Sequence, residues 1–241
     1  MKWRRAGRSG APDAVADIPA MSEFSQREKE IYRGNARLVT AASSRNPVWR
    51  MLTDWRFAVR AARYLLGLPV PMHTEDRRIL EQVIFPYYGS LSDVRTVLFV
   101  GCDWYTRHYE SAFFPAVTFW TMDPAPAARK FAGQRHIVAA LEELTHFFDD
   151  TPFDLIICNG VYGFGLDTLA QCEQAFAACH ARLRAGGHFV LGWDDIAARA
   201  PTPLTDVASL RLFRPFTFPP LGTWRYRTET PYRHTYDFYC K

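Results

Sequence analysis

The chain has 241 residues, 48% hydrophobic, 15% aromatic and 22% charged, which is too apolar for a mainly disordered protein and enough for one large domain with a sizeable core. No run approaches the ~18–20 apolar residues of a membrane-spanning helix. The net charge is +4, but residues 1–70 hold 13 basic and 6 acidic side chains and leave residues 71–241 at −3, which argues against a phosphate-backbone groove, and so a nucleic-acid partner, on the main body.

The N-terminus, Met1-Lys2-Trp3-Arg4-Arg5, is basic but has no apolar stretch behind it, so it does not read as a secretory signal. Residues 1–20 are rich in Gly, Ala and Pro and are expected to form a flexible tail, with Met21 as a second candidate start. Residues 21–90 read as a polar-rich helical cap, interrupted at Asn46-Pro47 and Leu68-Pro69-Val70-Pro71. Within it, Trp49, Leu52, Phe57, Ala61 and Leu65 recur at helical intervals among four arginines. Such a helix can lie on an anionic membrane; packing on the main domain with a solvated Arg face is the simpler expectation.

From residue 91 the pattern becomes that of an alternating α/β domain, expected over 91–241. Short apolar runs at 96–100, 117–122, 136–139, 153–158 and 188–193 read as strands. Asp167 to Arg184 carries Leu169, Cys172, Phe176, Cys179 and Leu183 at spacings of three and four, an amphipathic helix. Runs apolar on both faces and separated by helices predict a parallel sheet covered on both sides. Residues 210–241 differ: nine are aromatic, and Thr223–Thr228 and His234–Cys240 alternate like two strands joined near Thr230-Pro231. The five cysteines form no CxxC pair and their odd number fits reduced thiols, so the cytoplasm is the expected compartment. Cys172, Cys179 and His180 lack a zinc spacing, and no metal is expected.

In an open α/β sheet, ligands bind beyond the carboxyl ends of the strands where strand order reverses. The first strand ends in Gly101-Cys102-Asp103, with a helix expected from about Thr106. A glycine there lets the backbone approach a ligand, and helix N–H groups attract an anion. The second strand ends in Asp123, 22 residues after Gly101, close to the ~20-residue offset of a ribose-binding carboxylate. The alternative for Asp123 is a helix cap before Pro124.

This order resembles the class I S-adenosylmethionine-dependent methyltransferases. The resemblance covers about Arg95 to Lys241, and its most recognisable stretch is Leu183-Arg184-Ala185-Gly186-Gly187-His188-Phe189, which matches the family's Leu-x-x-Gly-Gly approach to the fifth strand. It implies a Rossmann-like, mostly parallel seven-stranded sheet with an antiparallel last strand. It implies S-adenosyl-L-methionine as cofactor, with Gly101 and Cys102 in the cofactor loop, Asp103 facing its ammonium group and Asp123 on its ribose. Ala140 and Leu141 would flank the adenine, Asn159 and Gly160 would lie beside the transferred methyl, and Tyr88, in Phe85-Pro86-Tyr87-Tyr88, would cover the cofactor. The family's acid-x-Gly-x-Gly-x-Gly loop reads Phe99, Gly101, Asp103, Tyr105 at the corresponding positions.

Methyl transfer needs an in-line approach and exclusion of water, with a base only for a protonated acceptor. His108, His234 and Asp194 are the candidates for that base, although Asp194-Asp195 would also suit a helix cap before Ile196. Tyr162, Trp193, Asp194 and His234 are expected to converge on one acceptor pocket. The activity expected is methylation of an O or N nucleophile of a small, aromatic or hydrophobic metabolite. Two alternatives stand beside it: a binding protein that keeps the fold without turnover, and a nicotinamide-dependent oxidoreductase. The latter is disfavoured because G-x-G-x-x-G is absent and no Tyr has a Lys four residues later. Oligomeric state is left open by the sequence.

Overall fold

The computed structural model describes residues 74–149 and 153–241, with Val59, Ala62, Arg63, Leu66 and Leu68 before them. The expected tail (1–20), most of the expected cap before Thr74 and nearly all of the expected Val48–Leu66 helix lie outside the described residues. Described strands are β1 (Thr96–Val100), β2 (Thr118–Met122), β3 (Arg135–Ile137), β4 (Phe153–Asn159), β5 (Leu183–Asp194), β6 (Arg214–Pro215), β7 (Arg225–Arg227) and β8 (His234–Cys240). They form one sheet in the order β3-β2-β1-β4-β5-β8-β6, with β7 also paired to β8. The pairings among β1 to β5 are parallel, whereas β8 runs antiparallel to β5, with Asp194 opposite His234. Because β5 occupies one edge of β8 along its length, β6 and β7 must share the other edge. The sheet therefore has seven positions, with the strand order reversing between β1 and β4.

From residue 74 on, the α-helical segments are α1 (Glu75–Ile79), α2 (Phe85–Ser90), α3 (Tyr109–Phe113) and α4 (Leu169–Arg182). A π-helical turn, Leu80–Ile84, joins α1 to α2 into one continuous helix. It falls directly before Pro86, which cannot donate to the i−4 carbonyl and crowds it. This helix is part of the domain core: Ile79, Leu80, Ile84, Phe85 and Tyr88 pack with Val97 and Phe99 of β1 on one face of the sheet. Burying side chains of this size contributes roughly 1.5–3 kcal/mol each. The opposite face is closed by α4, whose Cys172, Ala175, Phe176 and Cys179 are buried with Leu98, Ile156 and Phe189. Helix α4 starts where a capping box, Thr168 with Gln171, satisfies its first N–H groups.

Several boundaries differ from the sequence expectation. β3 is Arg135–Ile137 rather than 136–139, because its ladder with β2 spans only Trp120↔Arg135 to Met122↔Ile137. β5 begins five residues early at Leu183, with a register shift against β4 that lets the Arg184–Gly187 stretch leave the ladder and return. Thr106 does not open a helix. Its N–H and hydroxyl both bond to the Asp103 carbonyl, making a turn, and α3 starts at Tyr109. No helix follows Asp194-Asp195, where the Ile196 N–H returns to the Asp194 carbonyl in a turn.

Candidate functional site at the carboxyl edge of the sheet

The reversal of strand order places the carboxyl ends of β1 and β4 side by side, and there the two loops come into contact. Gly101 has φ +93°, and a Cβ on it would lie 2.5 Å from the Asn159 carbonyl oxygen. Only glycine fits that position on both counts. Gly160 also has a positive φ, +67°, with open space where a Cβ would point, so the edge stays unobstructed above β4. Asp123, at the end of β2, is half-buried and accepts hydrogen bonds from the Cys102 N–H and the Ala125 N–H, both at 2.9 Å. It thus ties the cofactor-loop candidate to its own strand end; the competing reading, a helix cap before Pro124, is not met, because no helix starts there and Asp123 caps only a turn through the Ala125 N–H. A carboxylate has about four lone-pair sites, so two remain for a ligand. Burial beside Asp123 pushes the Cys102 thiol up to about 12, which keeps it protonated. Asp103 is exposed and accepts from the next backbone N–H. Ala140 precedes a short 3-10 turn in which Leu141 is buried.

A second group lies one strand further along the edge. Antiparallel pairing puts Asp194 and His234 directly opposite each other and on one face, so His234 Nδ1 lies 2.7 Å from Asp194 Oδ1. His234 Nε2 lies 3.1 Å from the Asn159 side-chain amide. Space for that amide exists because residue 192 is glycine: a Cβ there would overlap the Asn159 oxygen. The Asn159 atom facing Nε2 is the amide oxygen Oδ1, so in this orientation Nε2–H is the donor; turned over, the amide would donate its N–H to an Nε2 lone pair, with the proton on Nδ1 held by Asp194.

Around this line runs a buried polar shell from the N-terminal helix. Asp76 accepts from the Tyr232 hydroxyl at 2.8 Å, and its backbone carbonyl accepts from Tyr236 at 2.9 Å. Desolvation opposes its charge, yet His234 and Arg77 hold its carboxyl below the usual range. Arg77 donates to the Tyr105 hydroxyl at 2.8 Å and lies 4.0 Å over that ring. Helix α1 is thereby fastened both to the loop after β1 and to β8.

The candidates thus sort as follows. Gly101, Cys102, Asp123, Asn159 and Gly160 come together at the switch point, and His234 and Asp194 form a contact pair on Asn159. His108 does not join them. It is buried against Tyr109 and Phe113, and burial, assisted by Arg63, lowers its pKa to about 4, too low for an effective base near neutral pH. Tyr88 is also misplaced. It packs on Phe218 and on His188, the residue that opens the apolar part of β5, so it lies at the amino end of the sheet. The helix runs away from the carboxyl edge, and it is Asp76 and Arg77 at its start, not the aromatic segment, that reach the site. The four residues expected in one pocket divide between two faces, because Trp193 and Asp194 are neighbours on a strand. Tyr162 packs edge-on against Trp193, and Asp194 stays with His234.

Asp76, Arg77 and Tyr232 are not legible as site residues in the sequence. Asp76 and Arg77 sit in Thr74-Glu75-Asp76-Arg77-Arg78, which looks like a solvated helix start. Gly192 did carry a signal, since a lone glycine inside a strand marks close approach.

The strand order, the switch point and the antiparallel β8 define the class I S-adenosylmethionine-dependent methyltransferase fold. No protein-family model and no curated protein matches this sequence. Among solved structures, the chain is similar to the N-methyltransferase NodS from Bradyrhizobium japonicum WM9, at 16% identity and a TM-score of 0.55, over 70% of this chain and 98% of that one. The same protein in complex with S-adenosyl-L-homocysteine gives 17% identity and a TM-score of 0.54, over 70% and 89% of the two chains. This chain therefore has the methyltransferase fold. No described helix is long and apolar enough to cross a membrane.

Proposed function

We propose that this chain is an S-adenosyl-L-methionine-dependent methyltransferase acting on an O or N nucleophile of a small, aromatic metabolite. The observation that carries the reading is the joint at the switch point: Gly101 pressed on the Asn159 carbonyl, with Asp123 holding the Cys102 N–H. The residues fit the cofactor. Asp123 keeps acceptor capacity for ribose hydroxyls, Gly101, Cys102 and Asp103 would hold the methionine part beside Asn159 and Gly160, and Ala140 and Leu141 offer the adenine an apolar wall. When bound, the cofactor supplies an electrophilic methyl group. The protein contributes orientation, exclusion of water and a proton acceptor at His234 Nε2, which Asp194 keeps aimed by holding Nδ1. Asn159 Oδ1 faces that nitrogen, so the amide must turn away before Nε2 can present a lone pair to the acceptor's proton.

We read the unpaired thiols as fitting the cytoplasm, and residues 1–20 as a tail whose removal leaves ligand affinity unchanged. A binding protein without turnover is the second reading, favoured by Tyr105 and its bond to Arg77 within the cofactor loop. Isothermal titration separates the classes. Saturable binding of S-adenosyl-L-methionine and S-adenosyl-L-homocysteine with no response to NADH is expected, and the reverse would overturn the proposal. Binding without methyl transfer to any acceptor in a panel of aromatic alcohols, acids and amines would favour the second reading.

A further inference from the structure

The opposite face of the sheet carries a pocket of about 600 Å³ that the function above does not use. It lies between the outer strands and the segment 195–213, which has no α-helix and crosses the sheet in short turns. That segment is held off the strands at defined points: the Tyr162 hydroxyl donates to the Thr202 carbonyl, and Glu173 of α4 accepts from the Ala208 and Ser209 N–H groups at 2.6 and 2.7 Å. The volume falls in the ~300–1,000 Å³ range of small-molecule sites.

We infer that this pocket binds a planar aromatic carboxylate. Its walls include Tyr162, Trp193 and Trp224, and Trp224 is still 38% exposed, an aromatic surface left without full cover. Two guanidinium groups, Arg211 and Arg225, line the same space. Arg225 lies 4.7 Å over Trp224 and 5.7 Å from Trp193, and spends two of its five N–H donors on the buried Asp237. Asp237 also accepts from the Trp193 indole at 3.1 Å, so the Arg, the Trp and the acid hold one another in place. Arg211 donates to the Thr205 carbonyl and forms no ion pair among the described residues. The carboxylate in the lining, Asp195, is itself paired with Arg227 at 3.4 Å. Positive donors beside flat aromatic walls suit an anion carried on a ring. The pocket rim, Tyr162 and Asp195, follows the carboxyl ends of β4 and β5. Binding of this ligand does not rest on the function proposed above.

The test is titration of the full chain with 2-naphthoate and the matched neutral 2-naphthamide, read by quenching of tryptophan fluorescence and by calorimetry. Saturable naphthoate binding at least tenfold tighter than naphthamide is expected. Arg211→Gln should remove most of that preference, and Trp224→Leu should weaken both ligands, with far-UV circular dichroism unchanged. Neither variant removes the partner of a buried charge, so both should fold. Absent naphthoate binding, equal affinity for the two probes, or full affinity in Trp224→Leu would overturn the site. A parallel titration with S-adenosyl-L-homocysteine keeps the two readings apart. Naphthoate binding without it supports the pocket alone, and the converse discards the pocket while leaving the methyltransferase reading in place.

Discussion

The two ends of this sheet are built from the same strands and could hardly differ more in chemistry. At the amino end, Phe218 stacks on Phe238 at 4.2 Å and on Tyr88 at 5.7 Å, and Phe216 meets His188 at 4.4 Å. At the carboxyl end the strands finish in Gly101, Asp123, Asn159 and Asp194, and the neighbours closing over them are His234, Asp76 and Arg77. Buried polar groups there are costly unless each finds a partner, and each of Asn159, Asp194, His234, Asp76 and Arg77 has one. The apolar end holds the layers together, and the polar end costs stability to hold donors and acceptors in fixed positions. Substitutions at the two ends should therefore fail in different ways.

The largest effect is expected at His234. If it is the proton acceptor, His234→Ala should lower turnover by ~10²–10⁴ while leaving S-adenosyl-L-homocysteine affinity within a few-fold. Asp194→Asn should reproduce part of that loss, because the amide no longer fixes the Nδ1 proton. Full turnover in both variants would reduce the Asp194–His234 pair to a strand contact and leave positioning alone to account for catalysis. Next is Asp123→Ala, which should weaken S-adenosyl-L-homocysteine binding at least tenfold by removing charge-assisted hydrogen bonds of about 1.5–3 kcal/mol each. It also strands the Cys102 and Ala125 N–H groups, so its melting temperature should fall. Unchanged affinity with a lowered melting temperature would make Asp123 a turn cap only.

The contrast between the ends was partly legible in the sequence. Apolar runs stopping at Gly101, Asp123 and Asn159 located the carboxyl edge, because those residue types are depleted within strands. What could not be read was direction. Tyr236 and Phe238 plainly shared a face with His234, but whether that face met Asp194 or Trp193 depended on the β5–β8 register, which places His234 opposite Asp194. The helix posed the same difficulty. Phe85-Pro86-Tyr87-Tyr88 looked like a cofactor cover, but its orientation on the sheet carries Tyr88 to the far end and brings Asp76 and Arg77, which read as surface charges, to the site.

A smaller effect is expected from pH through His108, which belongs to the aromatic layer rather than to the site. Its folded pKa of about 4 lies below the ordinary value of 6.5. As pH falls from about 6.5 toward 4, the unfolded chain takes up a proton that the folded chain refuses, so the folded state loses stability across that window. Above it, His108 contributes no pH dependence. His108→Leu should shrink the drop in melting temperature between pH 7 and pH 5 relative to the parent, with turnover at pH 7.5 unchanged. An equal drop in both proteins would mean that the imidazole protonates in place, and lost turnover would return His108 to the site.

The smallest effect on the site should come from Tyr88→Phe. The Tyr88 ring is fully buried among Tyr87, His188 and Phe218, yet its hydroxyl has no hydrogen-bond partner among the described residues, and burial raises its pKa far above the usual phenol value. A hydroxyl buried without a partner costs about 1–3 kcal/mol of desolvation. Deleting the oxygen should leave the ring packing intact, so the melting temperature should hold or rise. Affinity for S-adenosyl-L-homocysteine should stay the same, because the ring packs against the start of the parallel part of β5 and the ligand edge lies at its other end. A weakened affinity with an unchanged melting temperature would put the aromatic segment back over the cofactor and break the division of the sheet into a structural end and a ligand-binding one.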